Sequence, residues 1–218
     1  DLAALPGVEE VSAAIDLTDT YTITSDRIQN SQMLADIWVK DNGNIPSVLM
    51  HNASKGTLNT TVCALPDDEL RRIAADAGVS DEEIETLLAG DSVLTLWRDC
   101  YYDPAADAYY QKNTQTEGSI PVEPVFAAGD KLSIQYRRYT GQDEAGNDVY
   151  RTYTAQLPIA GVVKSANNYT LLTTDRLIFS GTIFVSTALY HKMFESAGSY
   201  FMEKEGYSSL NVKLAADN

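Results

Sequence analysis

The sequence predicts an α+β fold: a mixed or antiparallel sheet with a few short helices, arranged in two lobes, from which a long β-hairpin projects. Three observations lead there. Residues 129–163 alternate apolar and polar side chains in two arms, the signature of strands with one face buried. Between Pro66 and Gly90 the period changes to that of short amphipathic helices. Elsewhere strand-like and helix-like stretches follow no regular βα repeat, which argues against a doubly wound sheet.

The elements follow in order. Pro6-Gly7 makes a turn, and Val8, Val11, Ala13 and Ile15 begin a strand that Tyr21 to Thr24 continue with β-branched and aromatic residues. Residues 26–40 fit helical spacing only in part and end at the turn residues 41–44 (DNGN). Residues 46–50 and 57–65 read as two more strands. Asp67, Asp68 and Glu69 then place negative charge in a first helical turn, where the helix dipole favours it. Leu70, Ile73, Ala74 and Ala77 form that helix's buried face, and Gly78 stops it. Ser80 and Glu83 spell a capping box for a second helix carrying Ile84, Leu87 and Leu88 and ending at Gly90. Residues 92–97 (SVLTLW) return to strand. Residues 99–119, with Tyr101, Tyr102, Tyr109 and Tyr110 among Asp, Ala, Gln and Thr, read as a long surface loop.

The hairpin comes next. Leu132, Ile134 and Tyr136 on its first arm and Tyr153, Ala155, Leu157, Ile159 and Val163 on its second mark the buried face. Residues 141–148, rich in Gly, Asn and Asp, form the connection. Arms of this length outreach a small core, so the tip is expected to project. Pro158 has no N–H to give a ladder, so the second arm is an edge there or carries a bulge. Residues 167–174 suggest a short edge segment. A buried strand (181–185) leads into a helix capped by Ser186, with Leu189, Tyr190, Met193, Phe194 and Ala197 inward and Gly198 at its end. Leu210, Val212 and Leu214 alternate as a final strand.

Size and charge bound the function. The 218 residues suit a single domain over 1–218, with a second lobe expected from about residue 99 to 157. Sixteen basic against thirty-one acidic residues leave a formal net charge of −15. Nucleic acid and anionic lipid headgroups are poor partners for such a surface. No apolar run is long enough to span a bilayer. A start without Met and an end just after a strand suggest a soluble segment of a longer protein. The two cysteines, Cys63 and Cys100, allow one bridge or two separate buried thiols; Cys63, between Val62 and Ala64 in a strand, reads as a core thiol.

Catalytic chemistry is hard to assemble from these residues. The HExxH, GxSxG, Ser-x-x-Lys and phosphate-loop patterns are absent. His191 and Glu195 read as a surface pair four residues apart, and His51 has no nearby Cys or His to share a metal. Asp143, Glu144, Asn147 and Asp148 at the hairpin tip lack the order of an EF-hand loop and read as solvated turn residues. The expectation is a non-enzyme with no catalytic, metal or cofactor site. Candidate contact residues are Tyr101, Tyr102, Tyr109 and Tyr110, which offer large area with a polar handle, together with Asp143 and Glu144 at the tip. The tyrosines also fit a second role, rings packed back to anchor their loop, and that role is the favoured one. Three Asn-x-Ser/Thr triplets begin at Asn52, Asn59 and Asn168, a pattern that recurs by chance.

Several short motifs, taken in order, carry a resemblance. They are LPGVEEVS at 5–12, TTVCALPDDELRRI at 60–73, LLAGDSVLTL at 87–96, Gly129-Asp130-Lys131-Leu132, the Gly-Val-Val ending at Val163, GTIFVSTALYHKMF at 181–194 and SSLNVKLA at 208–215. Together they resemble the extracytoplasmic domain of FtsX-like ABC transporter permeases, a group that includes the periplasmic core domain of the MacB type. The loop at 99–119 and the length of the hairpin depart from that compact pattern. The resemblance implies a non-catalytic domain on the extracytoplasmic face of the cell membrane, moved by ATP hydrolysis in a separate nucleotide-binding domain. The implied partners are the permease's own transmembrane helices, a second permease copy or subunit, the ABC ATPase subunit and an accessory extracytoplasmic protein. A free-standing, surface-anchored glycan- or peptide-binding module is the alternative.

Overall fold

A computed structural model describes residues 4–31, 56–97, 100–111, 117–164, 182–194 and 209–214. The elements expected at 46–50 and 167–174, and His51, Asn52, Asn168, Glu195, Ala197 and Gly198, lie outside them. The fold is α+β, with a mixed seven-stranded sheet, a separate three-stranded sheet and four short helices among the described residues. In chain order these are β1 (Val8–Thr24), α1 (Asp26–Gln29), β2 (Leu58–Leu65), α2 (Asp67–Asp76), α3 (Asp81–Leu88) and β3 (Val93–Trp97). They continue with β4 (Cys100–Asp103), β5 (Ala108–Gln111), β6 (Ile120–Pro121), β7 (Lys131–Gln142), β8 (Asp148–Lys164), β9 (Ile183–Ser186), α4 (Thr187–Phe194) and β10 (Ser209–Leu214).

The large sheet runs β10-β1-β2-β9-β3-β8-β7, and β7 pairs again with β1, Ile134 opposite Ile23. The ring β1-β2-β9-β3-β8-β7 is therefore closed, with β10 outside it on the first half of β1. Two pairs, β2–β9 and β3–β8, are parallel. Closure removes the open edges that a six-stranded sheet would otherwise expose. The inward period-two residues fill the ring: Ile23, Leu58, Val62, Val93, Leu132, Ile134, Ile159 and Ile183 form one buried cluster. Phe126, Leu189 and Met193 belong to the same cluster, with the Phe126 ring edge-on to Trp97 at 6.3 Å.

The helices α2 and α3 cover one outer wall. Leu70, Ile73, Ala74, Ile84 and Leu87 pack there against Cys63, Leu65, Leu94, Leu96, Val163 and Phe184. The sequence explains both helices. α3 starts on the Ser80–Glu83 capping box, and α2 places three acids in its first turn without a side-chain cap. Each ends in a glycine with positive φ, Gly78 at +78° and Gly90 at +83°. The next residue's N–H then reaches back, Val79 to the Ala74 carbonyl at 3.0 Å and Asp91 to that of Thr86 at 3.1 Å, closing Schellman caps. Ser186 caps α4 by accepting from the Leu189 N–H at 3.1 Å.

One sequence reading changes. Residues 99–119 are not simply a surface loop: β4 and β5 form a hairpin, with β6 on the other side of β4. Tyrosine is a good strand former, and the turn is made locally. The Asp103 carboxylate accepts from the Ala105 and Ala106 N–H groups at 2.8 and 3.2 Å, and Asp107 adopts φ +50°. Of the partly helical stretch 26–40, residues 32–40 lie outside the described residues; its start is the helix α1, begun by Ser25, which accepts from the Ile28 N–H at 3.2 Å. At Pro158 both expected devices occur. Pairing with β3 begins one residue later at Ile159, and the register then slips from Ile159 to Gly161.

Thr95 is among the core positions that depart from satisfied packing. Thr95 is fully buried on β3, and its hydroxyl finds no hydrogen-bond partner among the described residues. A buried unpaired hydroxyl costs about 1–3 kcal/mol. Thr95→Val keeps the shape and removes that penalty, so differential scanning calorimetry should show the melting midpoint rising by roughly 2–4 °C or more.

Candidate functional site

The long hairpin is anchored by its base and free at its end. At the base, Leu132, Ile134, Leu157 and Ile159 are buried in the barrel interior. The Gly129-Asp130 opening has a structural task. Gly129 sits at φ +85°, its N–H donates to the Ile159 carbonyl at 2.8 Å, and the Ile159 N–H donates to the Asp130 carbonyl at 2.9 Å. The Asp130 carboxylate holds Arg27 of α1 at 2.5 Å. The two arms are thus fixed to each other and to the barrel before they leave it.

Beyond Leu157 the second arm is exposed at nearly every residue out to the tip. Pairing continues without a slip from Lys131↔Pro158 to Tyr139↔Tyr150, and a bulge follows at Thr140. Two tyrosine pairs stiffen this free ribbon. Tyr136 and Tyr153 stack at 5.8 Å on the face continuous with the core. Tyr139 and Tyr150 meet edge to face at 5.9 Å on the opposite, outer face. Such cross-strand aromatic pairs contribute about 0.5–1.5 kcal/mol each beyond burial. The sequence alternation marked Tyr136 and Tyr153 as inward but gave no sign of the outer pair, which depends on register.

The tip residues are occupied with their own turn. The Asp143 carboxylate accepts from the Ala145 and Asn147 N–H groups at 2.9 and 2.8 Å and from the Asn147 side-chain amide at 3.0 Å. The Asn147 side chain, then its backbone N–H, hold the Asp143 carboxyl below the usual carboxylate range. A depressed pKa means that the ordering is present at neutral pH and is lost as pH falls through the lowered value. Asp143→Ala should therefore speed amide exchange at Ala145 and Asn147 at neutral pH while leaving the melting midpoint unchanged. Glu144 is exposed beside it.

The other candidates lie on the small sheet. Tyr101 and Tyr102 are half-buried on β4, opposite Tyr110 and Tyr109 of β5. The Tyr102 hydroxyl donates to the Asp107 carboxylate at 2.5 Å, so one of the four helps to hold its own turn. Cys63 is a buried thiol and not half of a disulfide. His191 is exposed on α4, its ring 5.4 Å from that of Tyr190. No group of three or more His, Cys, Asp or Glu suited to a metal occurs among the described residues. No helix among them is long and apolar enough to cross a membrane. No family model matches the chain, and no curated protein matches it.

Proposed function

We propose that this chain is an extracytoplasmic domain of an FtsX-like ABC transporter permease. In this reading it is non-catalytic, and it passes motion driven by cytoplasmic ATP hydrolysis to a substrate or partner through the hairpin. The observation that carries the proposal is the pairing of β1 with β10. Val8 lies opposite Leu214, so the first and last described strands run side by side at one edge. A domain inserted between two membrane helices needs its ends together. Paired strands lie about 4.8 Å apart and packed helices about 8–10 Å apart, a gap that a few residues bridge. Exposed Leu5, Val212 and Leu214 gather at this same edge.

The motifs behind the resemblance also take the expected forms. Residues 60–73 run from β2 into α2, residues 87–96 from the end of α3 into β3, and residues 183–194 form β9 and α4. ATP belongs to a separate subunit in this reading, and the further partners are the permease helices, a second permease copy or subunit and an accessory extracytoplasmic protein. The flanking gene sequence tests it. The expected result is an apolar span of about 20 residues encoded just ahead of Asp1, three more after Asn218, and an ATPase gene alongside. A lipid-anchor signal with no later span would overturn the permease reading in favour of a free-standing binding module.

A further inference from the structure

We infer that the outer edge of β8, residues 148–156, is a self-association site: a second copy of the chain adds its own β8 there, antiparallel, about a two-fold axis through Thr152. The edge follows from the ladder. Ile159 turns both of its backbone groups towards β7, where its N–H donates to the Asp130 carbonyl and its carbonyl accepts from the Gly129 N–H. Strand alternation then turns those of Asp148, Tyr150, Thr152, Thr154 and Gln156 the other way. No strand among the described residues pairs with them on that side, since pairing with β3 starts only at Ile159, just past Pro158.

Natural edges are blunted against such pairing by shortness, lysine, proline or a bulge. The other edges among the described residues show these devices. β5 and β6 have four and two residues, β10 contains Lys213, and β7 bulges at Thr140. β8 has no lysine, proline or bulge between Asp148 and Leu157. Val149, Tyr150, Thr152, Tyr153 and Thr154 are strong strand formers, and Val149, Tyr150 and Tyr153 are among the large apolar side chains left exposed.

The occupant that this edge fits is itself. About Thr152 the antiparallel pairs are Asp148 with Gln156, Val149 with Ala155, Tyr150 with Thr154, Arg151 with Tyr153, and Thr152 with its own copy. Acid meets amide, apolar meets apolar, an aromatic ring meets a β-branched residue, the arginine meets a ring, and threonine meets threonine, all favourable across strands. A two-fold at Arg151 would instead oppose two arginines. One at Tyr153 would run the ladder into Pro158, which has no N–H to give. The Thr152 register uses the whole run, with about ten main-chain hydrogen bonds, as many as a typical stable interface carries.

The net charge of −15 opposes this pairing only weakly. Asp148 and Arg151 cancel within the run. The two copies of Leu157, where the barrels begin, would stand about 34 Å apart along the ladder, about four Debye lengths at physiological salt.

The inference rests on the β8 edge and not on the permease assignment, so the flanking sequence and the association assay fail separately. Sedimentation equilibrium of the 218-residue chain at rising concentration is expected to show monomer passing to dimer and to nothing larger, because a two-fold interface closes on itself. Arg137 and Thr152 lie opposite each other with their backbone groups turned to the two outer edges, which gives a matched pair of variants. Thr152→Pro removes an N–H from the self-pairing edge and should weaken the dimer by roughly tenfold or more. Arg137→Pro removes one from the β7 edge and should leave the dimer unchanged, and matching melting curves verify that both variants fold. Thr152→Cys gives an independent reading. Across the axis its thiols come within disulfide reach, at about 5.5 Å between Cα atoms, so mild oxidation should yield a covalent dimer. Thr154→Cys places them about 14 Å apart along the ladder and should not. A chain that stays monomeric at every concentration would overturn the inference. So would equal effects of the two proline variants, or equal crosslinking of the two cysteine variants.

Discussion

Phe184→Ala is expected to lower stability by about 3–5 kcal/mol, a large part of the roughly 5–15 kcal/mol that a domain commands. Phe184 is fully buried on β9, between Cys63 of β2 and Leu94 of β3 in the register of the sheet. Its side chain faces the helical layer and belongs to the cluster that joins α2 and α3 to the barrel wall. Truncation leaves a cavity lined by two strands and two helices, which cannot all collapse into it together. Urea denaturation reads the loss directly. Tyr150→Ala on the exposed arm should, in contrast, lose no more than about 0.5–1.5 kcal/mol, the contribution of its pair with Tyr139.

Gly90→Ala should cost roughly 3 kcal/mol or more, because two separate penalties meet there. The residue sits at φ +83°, closing the cap of α3, and an added Cβ would lie 2.8 Å from the Leu189 backbone nitrogen and 3.0 Å from its Cα. Backbone at the start of α4 cannot move aside as a flexible side chain would. Gly78 supplies the control. It has φ +78° at the end of α2, but nothing lies within 4 Å of its added Cβ. Gly78→Ala should thus show only the backbone penalty of about 1–2 kcal/mol. The difference between the two variants in chemical denaturation measures the contact of α3 with α4. Equal losses would mean that this close approach is absent in solution.

What the sequence made legible was governed by local rules. The hairpin of β7 and β8 could be read because Leu132, Ile134, Leu157 and Ile159 line a wall with water on the other side, which forces strict alternation. α2 and α3 could be read because glycine, serine and acidic residues mark helix ends chemically. Cys63 showed itself as a core thiol by lying in an apolar strand. Closure of the barrel was not legible, since Ile23 and Ile134 would alternate in the same way in an open sheet. Nor was the β4–β5 hairpin, because its rows of tyrosine, alanine and aspartate show no clean apolar period, and its turn depends on the side-chain bonds of Asp103. The six named contact candidates lie at two places, the small sheet and the hairpin tip. Asp143 bonds its own turn there, while Tyr139 and Tyr150 share a face only once the register is known.

The most direct measurement of the proposed role places a cysteine at the exposed tip, Ala145→Cys, in the full-length protein within intact cells. A membrane-impermeant maleimide is added before or after lysis, with the parent protein as control. An extracytoplasmic permease domain predicts labelling before lysis, in the membrane fraction, on a chain that co-purifies with an ABC ATPase subunit. Labelling only after lysis, or a labelled chain that stays in the soluble fraction without the ATPase, would contradict it.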